Sequence, residues 1–169
     1  MALALYGHPF SSYTQKVLVA LYENGTHPRP IPLVPRDPMT ALEVRFLDRF
    51  FDLHVMNMMQ TAVFGALSGD PSKRRDGLAL AEKKLETAYR WLEHHLEGKT
   101  WAAGPTFTLA DCAAAPSLFY ADWTHRISED YSALRAYRAR LLARPSFARA
   151  VEEARPYRPN FPLGAPDRD

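Results

Sequence analysis

The sequence predicts a mainly α-helical protein, in which a helical bundle follows a short and incomplete α/β unit. Apolar residues recur at helical spacing through most of the chain after position 38, which indicates amphipathic helices around one core. Five prolines between positions 28 and 38 interrupt the chain before that region, because proline lacks an N–H and disfavours helix in the residue before it. A short apolar run near the N-terminus, Ala2–Tyr6, has the pattern of a strand.

Composition limits the classes of partner. The 169 residues carry 21 basic and 19 acidic side chains, which gives a net charge of +2. The basic residues are interleaved with acidic ones, and no apolar run reaches membrane-spanning length, so we expect neither nucleic acid nor a membrane as a partner. A single cysteine forms no internal disulfide, and the N-terminus lacks a secretory pattern; both features predict a cytoplasmic protein.

The N-terminal residues are interpreted as a strand, a turn and a helix. Gly7–Pro9 ends the strand, and the helix predicted over 13–24 is capped by Ser11 or Ser12 and ended by Gly25. The face of this helix that we expect to be buried contains Val17, Leu18, Leu21 and Tyr22.

The proline-rich segment that follows is predicted to be an extended, stiff linker. It divides the chain into three parts: residues 1–26 with the strand and helix, the linker 27–38, and an all-helical domain over 39–169.

A long helix is predicted from a cap at Asp37 or Thr40 to about Leu67. It carries two apolar stripes, which indicate one face packed on the domain and another packed on a second surface. The first stripe contains Leu42, Phe46, Phe50 and Leu53, and the second contains Val44, Leu47, Phe51 and Val55.

Further helices are predicted over 71–96, 109–123, 132–143 and 145–153. A proline opens the first and the last of these, as is common at the first helical position. The tail from Arg155 contains four prolines and is predicted to be irregular.

The start of the helix at 109 is the clearest in the chain. Thr108 has the side chain of an N-cap, and Asp111, three residues later, completes a capping box. Phe107 and Cys112 have the spacing of a hydrophobic staple across this cap. The small and apolar residues that follow predict a helix that is buried on nearly all sides.

These motifs resemble the cytosolic glutathione transferase family. Residues 101–104 (WAAG), 107–111 (FTLAD) and 144–147 (RPSF) resemble its C-terminal helical domain. Residues 5–17 (LYGHPFSSYTQKV) resemble the first strand and helix of its thioredoxin-like domain, in the bacterial, serine-using, zeta-like branch.

The resemblance also implies that much of the thioredoxin-like domain is absent. In the family, a second strand and helix, two further strands and a third helix follow the first helix and hold the glutathione backbone. Here Asn24–Thr26 runs almost directly into the linker. The expected fold is therefore the family's C-terminal helical bundle, preceded by an incomplete thioredoxin-like unit.

The resemblance places glutathione, as co-substrate, at the start of the first helix. Ser11 aligns with the family's active serine and is expected to stabilise the thiolate, with Phe10 and Ser12 shaping the site. A thiol is mostly protonated at neutral pH, and a hydroxyl at a helix N-terminus favours its charged form. The residues alone leave open that both serines only cap the helix, and which serine is active.

An apolar substrate pocket is a further hypothesis. Its candidate lining residues are Phe50 and His54 on the long helix, beside several methionines, and Tyr120 and Trp123 at the end of the buried helix. For all of them, a place in the core or at a dimer contact is the favoured alternative.

Two other candidates are assigned structural roles. Cys112 lies on a helix predicted to be buried and is interpreted as a core residue, not a redox thiol. His94 and His95 are adjacent and lack carboxylates at metal-binding spacing, so we expect no metal.

Two functions stay open. By resemblance, the protein is a glutathione transferase that conjugates glutathione to small electrophiles, as a cytoplasmic homodimer. Its N-terminal residues would then exchange between subunits or lack order, because a lone strand leaves an unpaired edge. The alternative is a non-catalytic module of the same fold, used for dimerisation or ligand binding.

Overall fold

The computed structural model describes residues 5–25 and 32–169. Its helices are α1 (Ser12–Gly25), α2 (Pro38–Phe50), α3 (Asn57–Leu67), α4 (Pro71–Leu96), α5 (Leu109–Thr124), α6 (Ser132–Leu142) and α7 (Pro145–Ala154). A π-helical segment, Phe51–Met56, joins α2 to α3, and a 3-10 helix, Arg155–Asn160, follows α7. The mainly helical fold class is confirmed.

Parts of the N-terminal prediction fall outside the described residues. These parts are residues 2–4 of the predicted strand and residues 27–31 of the predicted linker. Leu5 and Tyr6 take no regular structure. The described part of the predicted strand is therefore not a strand. The division into three parts stays a prediction.

The long helix begins at its predicted cap and is continuous from Pro38 to Leu67, although its middle turn is π-helical. Asp37 is the cap, and its Oδ2 accepts the Thr40 N–H at 2.8 Å. The core-facing stripe is confirmed, since Val44, Leu47, Phe51 and Val55 are fully buried. The other stripe is largely exposed, with Leu42 at 59%, Phe46 at 55% and Leu53 at 47%.

The pair α3 and α4 packs closely because each helix carries a glycine at the contact. A Cβ on Gly65 would lie 2.6 Å from the Lys73 carbonyl oxygen, and one on Gly77 would lie 2.9 Å from the Thr61 carbonyl oxygen. Real Cβ atoms do not approach so closely, so glycine is what allows this backbone contact.

The carboxylate of Asp111 is the polar centre of the bundle. Asp111 is fully buried, and both contacts of the predicted capping box are present. Its Oδ2 accepts the Thr108 N–H at 2.8 Å and the Thr108 hydroxyl at 3.1 Å. Its Oδ1 accepts the Ala102 N–H at 2.9 Å and the Tyr137 hydroxyl at 2.6 Å. Burial raises the pKa of this carboxyl, and the four donors act against that rise.

These four bonds join the loop before α5, the first turn of α5 and the middle of α6. The buried character of α5 is confirmed, because nearly every residue from Ala110 to Asp122 is buried. The linker is tied to the same point, where the Leu109 N–H donates to the Leu33 carbonyl at 2.8 Å.

The C-terminal tail is more regular than predicted. Its prolines are compatible with the 3-10 turn over Arg155–Asn160, and the buried Phe161 anchors the segment on the core. No helix among the described residues is both long and apolar enough to cross a membrane.

We expect Asp111→Ala to lower the free energy of unfolding by about 3 kcal/mol, because it leaves buried donors unpaired. The matched control is Asp70→Ala at the exposed cap of α4, where Asp70 Oδ1 accepts the Ser72 N–H, and we expect a much smaller loss because water can replace this bond. Chemical denaturation measures both. Equal losses would contradict the central role of Asp111.

Candidate functional site

The turn before α1 holds Ser11 at the N-terminus of the helix. The Ser11 N–H donates to the His8 carbonyl at 2.9 Å, and the Ser11 hydroxyl oxygen accepts the Thr14 N–H at 3.4 Å. The Phe10 N–H donates to His8 Nδ1 at 3.2 Å. Of the two predicted caps, Ser11 is therefore the one that caps α1, and its hydroxyl lies where the helix dipole favours negative charge.

A cleft of about 210 Å³ opens beside this turn. Phe10, Ser11, Ser12 and Tyr120, which the sequence proposed as site residues, all line it. The other lining residues are Met59, Gln60, Val63, Phe64, Asn160, Phe161 and Pro162. Among the described residues the lining is apolar with hydroxyl and amide groups, and it contains no charged side chain.

Gln15 connects the turn to α5. This side chain is fully buried, and its Nε2 donates to the Pro9 carbonyl and to the Tyr120 hydroxyl oxygen, both at 3.0 Å. The Phe10 ring packs edge-on against Tyr120, with ring centroids 5.4 Å apart. Burial raises the pKa of the Tyr120 hydroxyl, so Tyr120 stays neutral and its hydrogen remains available to a ligand in the cleft.

The prediction for the buried face of α1 was wrong. The buried residues are Ser12, Gln15, Val19 and Glu23, whereas Val17 and Leu21 are 42% and 43% exposed. The helix turns its polar face to the bundle because α5 and α7 offer matching polar groups there. Its apolar face, which a sheet would cover in a complete α/β unit, stays at the surface.

Lys16 pairs α1 with the long helix. Its ammonium lies 2.7 Å from Asp48 Oδ1 and 2.8 Å from Asp52 Oδ2. Burial acts to lower the pKa of Lys16, but hydrogen bonds to the two carboxylates outweigh it, and the pKa is raised. The charge of Lys16 is thus neutralised within the fold.

Glu23 pairs the other end of α1 with α7. Arg144 donates to it from Nε at 2.7 Å and from Nη2 at 2.6 Å, and the Ser146 hydroxyl donates at 2.5 Å. The Arg144 guanidinium also lies 3.8 Å from the centre of the Phe107 ring, which adds a cation–π contact. A two-pronged arginine–carboxylate pair fixes orientation as well as position, so α1 is held at both ends.

The single substrate pocket predicted from the sequence is divided in the structure. Phe50 and His54 line a separate cleft of about 490 Å³ between the long helix and α4, together with Trp91. Trp123 packs on Phe119 and Phe161, with ring centroids 4.7 and 5.3 Å away, and does not line the Ser11 cleft. Of the predicted pocket residues, only Tyr120 lies beside Ser11.

Sequence reasoning missed several residues that line or support the Ser11 cleft. Phe161 and Asn160 belong to the tail, where the prolines masked any pattern. Gln15 was missed because a glutamine on a helix is usually at the surface. Its spacing of four residues from Val19, both on the buried face, was the available signal.

The remaining candidates have structural places. Cys112 is fully buried, and burial raises the pKa of its thiol, so it is unreactive. His95 bonds the Ala102 carbonyl, and His94 lies on the surface beside Glu97. Within residues 5–25 and 32–169, no group of three or more His, Cys, Asp or Glu side chains is placed to hold a metal ion.

Comparison with known proteins identifies this arrangement. The described helices form an all-helical domain, and residues 74–140 match the family described as glutathione S-transferase, C-terminal domain.

Two curated relatives agree with this match. The glutathione S-transferase-like protein LUC7 of a Fusarium species is 35% identical over 106 residues, which cover 61% of this chain and 47% of the relative. FtsZ-localized protein A of Caulobacter vibrioides is 30% identical over 144 residues, covering 79% and 60%. The matches thus span about half of these relatives' lengths.

A solved structure shares the fold. A glutathione S-transferase of Methylobacillus flagellatus with glutathione bound superposes with a TM-score of 0.70. The superposition covers 84% of this chain and 95% of that one, at 19% sequence identity.

Proposed function

We propose that this protein conjugates glutathione to small, apolar electrophiles in the cleft beside Ser11. The observation that supports this is the position of Ser11, a hydroxyl at the start of a helix that opens onto an apolar cleft. The match to the glutathione S-transferase C-terminal domain and the glutathione bound to the Methylobacillus flagellatus structure agree with it. The reaction would serve detoxification, and the single buried cysteine fits the proposed cytoplasmic location.

In this proposal each residue has a defined role. The hydroxyl of Ser11 and the N-terminus of α1 stabilise the glutathione thiolate. Phe10 and Ser12 shape the turn, and Tyr120 and Phe161 contact the electrophile. The thiolate forms a bond to the electrophilic carbon while the leaving group departs with its electron pair. The proton of the thiol passes to solvent before the attack.

A second candidate is a non-catalytic ligand-binding module of the same fold. The observation that favours it is the uncharged lining of the cleft, which offers no described partner for the carboxylates of glutathione. Positioning supplies much of catalysis, so a tripeptide held only by its thiol would react poorly. One relative is also named for its place at FtsZ rather than for a reaction.

We also propose that the protein is a homodimer built on the exposed stripe of the long helix. Leu42, Phe46 and Leu53 are about half exposed. Leu53 lines the cleft that contains Trp91, and the Phe46 ring packs on Trp91 with ring centroids 6.1 Å apart. A contiguous apolar patch of this kind commonly marks a protein interface.

Ser11→Ala is expected to lower kcat/KM for glutathione with a chloronitrobenzene by about one hundredfold, since one thiolate donor is lost. Ser72→Ala, at an exposed position of α4 outside the cleft, is the matched control and keeps its activity. Calorimetry with glutathione alone is measured in parallel. Full activity of Ser11→Ala would refute its role, and the absence of binding heat in the unchanged protein would favour the non-catalytic module.

Phe46→Glu is expected to convert the dimer into a monomer, because it places a charge in the proposed interface. Arg45→Glu introduces the same side chain at the neighbouring exposed position of α2 and should stay dimeric. Sedimentation velocity measures both masses. A monomeric unchanged protein, or a dimer that survives Phe46→Glu, would contradict this interface.

A further inference from the structure

A third cleft lies on another side of the bundle, between the end of α5, α6 and the C-terminal tail. Its volume is about 210 Å³. Its charged lining residues are Arg126, Arg135, Arg138 and Arg168 with Asp122 and Asp169. None of them lines the Ser11 cleft.

Basic charge is in excess in this cleft. Asp169 lies 2.9 Å from Arg155 and 2.8 Å from Arg158, and these two arginines are not part of the lining of this cleft. Two arginines outside the cleft lining therefore neutralise the side-chain charge of Asp169. Asp122 is the other carboxylate side chain of the lining, and it pairs with Arg138 and Arg168.

Asp122 is itself already engaged. Its Oδ2 accepts Arg168 Nη1 at 2.6 Å, and its Oδ1 accepts the Ile127 N–H at 2.8 Å. Its backbone carbonyl accepts Arg168 Nη2 at 3.0 Å. Asp122 thus anchors Arg168, the arginine to which it is hydrogen-bonded.

Arg138 is the buried cation of this cleft. Its side chain is 13% exposed, and Nη2 lies 3.3 Å from Asp122 Oδ2. Neither Nε nor Nη2 makes a hydrogen bond with the described residues, and Nη1 donates only to a main-chain oxygen of Asp169 at 3.4 Å. Burial lowers the pKa of Arg138, and the attraction of Asp122 does not offset it. Burying a guanidinium with unpaired N–H donors costs free energy unless an anion accepts their hydrogen bonds.

The two arginines at the rim are held weakly. Arg135 Nη1 donates to the Ile127 carbonyl at 3.4 Å, and Arg126 lies 3.7 Å from the exposed Glu129. Long arginine side chains with such contacts can turn toward a ligand at little cost.

We propose that this cleft binds a small oxyanion with two negative charges, either a phosphate group or a dicarboxylate. The guanidinium fork of Arg138 matches the oxygen spacing of both, and the volume accommodates such a group with the atoms that carry it. The site is separate from the proposed conjugation site and does not depend on it.

The test is calorimetric titration with inorganic phosphate and with malonate, at constant ionic strength set with chloride. We expect saturable binding of at least one of them, weakened about tenfold by Arg135→Gln and by Arg138→Gln, since each removes a charge-assisted hydrogen bond. Arg90→Gln is the matched control, because this arginine on α4 is 68% exposed and outside the cleft. It should bind as tightly as the unchanged protein.

Binding of only one probe would identify the anion as phosphate or dicarboxylate and supports the proposal either way. Arg135 is exposed, so we expect the Arg135→Gln variant to fold normally. Circular dichroism tests whether the Arg138→Gln variant is folded. Absence of heat with both probes would overturn the proposal. Equal weakening by Arg90→Gln would also overturn it, because it would show a general charge effect.

Discussion

The buried carboxylate of Asp111 is the interaction on which the rest of the bundle depends. One side chain satisfies the backbone at the start of α5, a backbone N–H of the preceding loop and the hydroxyl of Tyr137 on α6. A buried charge is tolerated only when its hydrogen bonds are complete, so these three parts of the chain must come together at once. The axis and register of α5 follow from this point, and with them the place of Tyr120 about two and a half turns further along.

The Ser11 site depends on α5 in turn. In a complete α/β unit a sheet would position the first helix, but in the described residues α1 is held by the bundle. Gln15, Lys16 and Glu23 each contact a different partner element, namely α5, the long helix and α7. Because polar contacts require defined geometry, they orient the Ser11 turn as well as retaining it. The exposed Val17 and Leu21 mark the face that these contacts leave uncovered.

Much of this fold could be predicted from local patterns. Asp37 and Thr108 cap helices because a cap is decided by a few neighbouring residues, and the core stripe of the long helix follows from its 3.6-residue period. Which face of α1 is buried could not be predicted from local patterns. Its burial is decided by Tyr120 and Arg144, which lie more than a hundred residues away in sequence. The cleft was likewise only partly predictable, because tail residues complete it and the long-helix aromatics line a different one.

The central claim is that α1 is an integral part of the bundle, so that the Ser11 turn is held in place without a sheet. Native-state hydrogen exchange of the backbone amides of α1 and α5 tests this most directly, since exchange reports the free energy of local opening. The account predicts that the amides around Val19 open with nearly the same free energy as those in the middle of α5. Exchange of α1 amides close to the rate of an unfolded chain, while α5 remains protected, would contradict it.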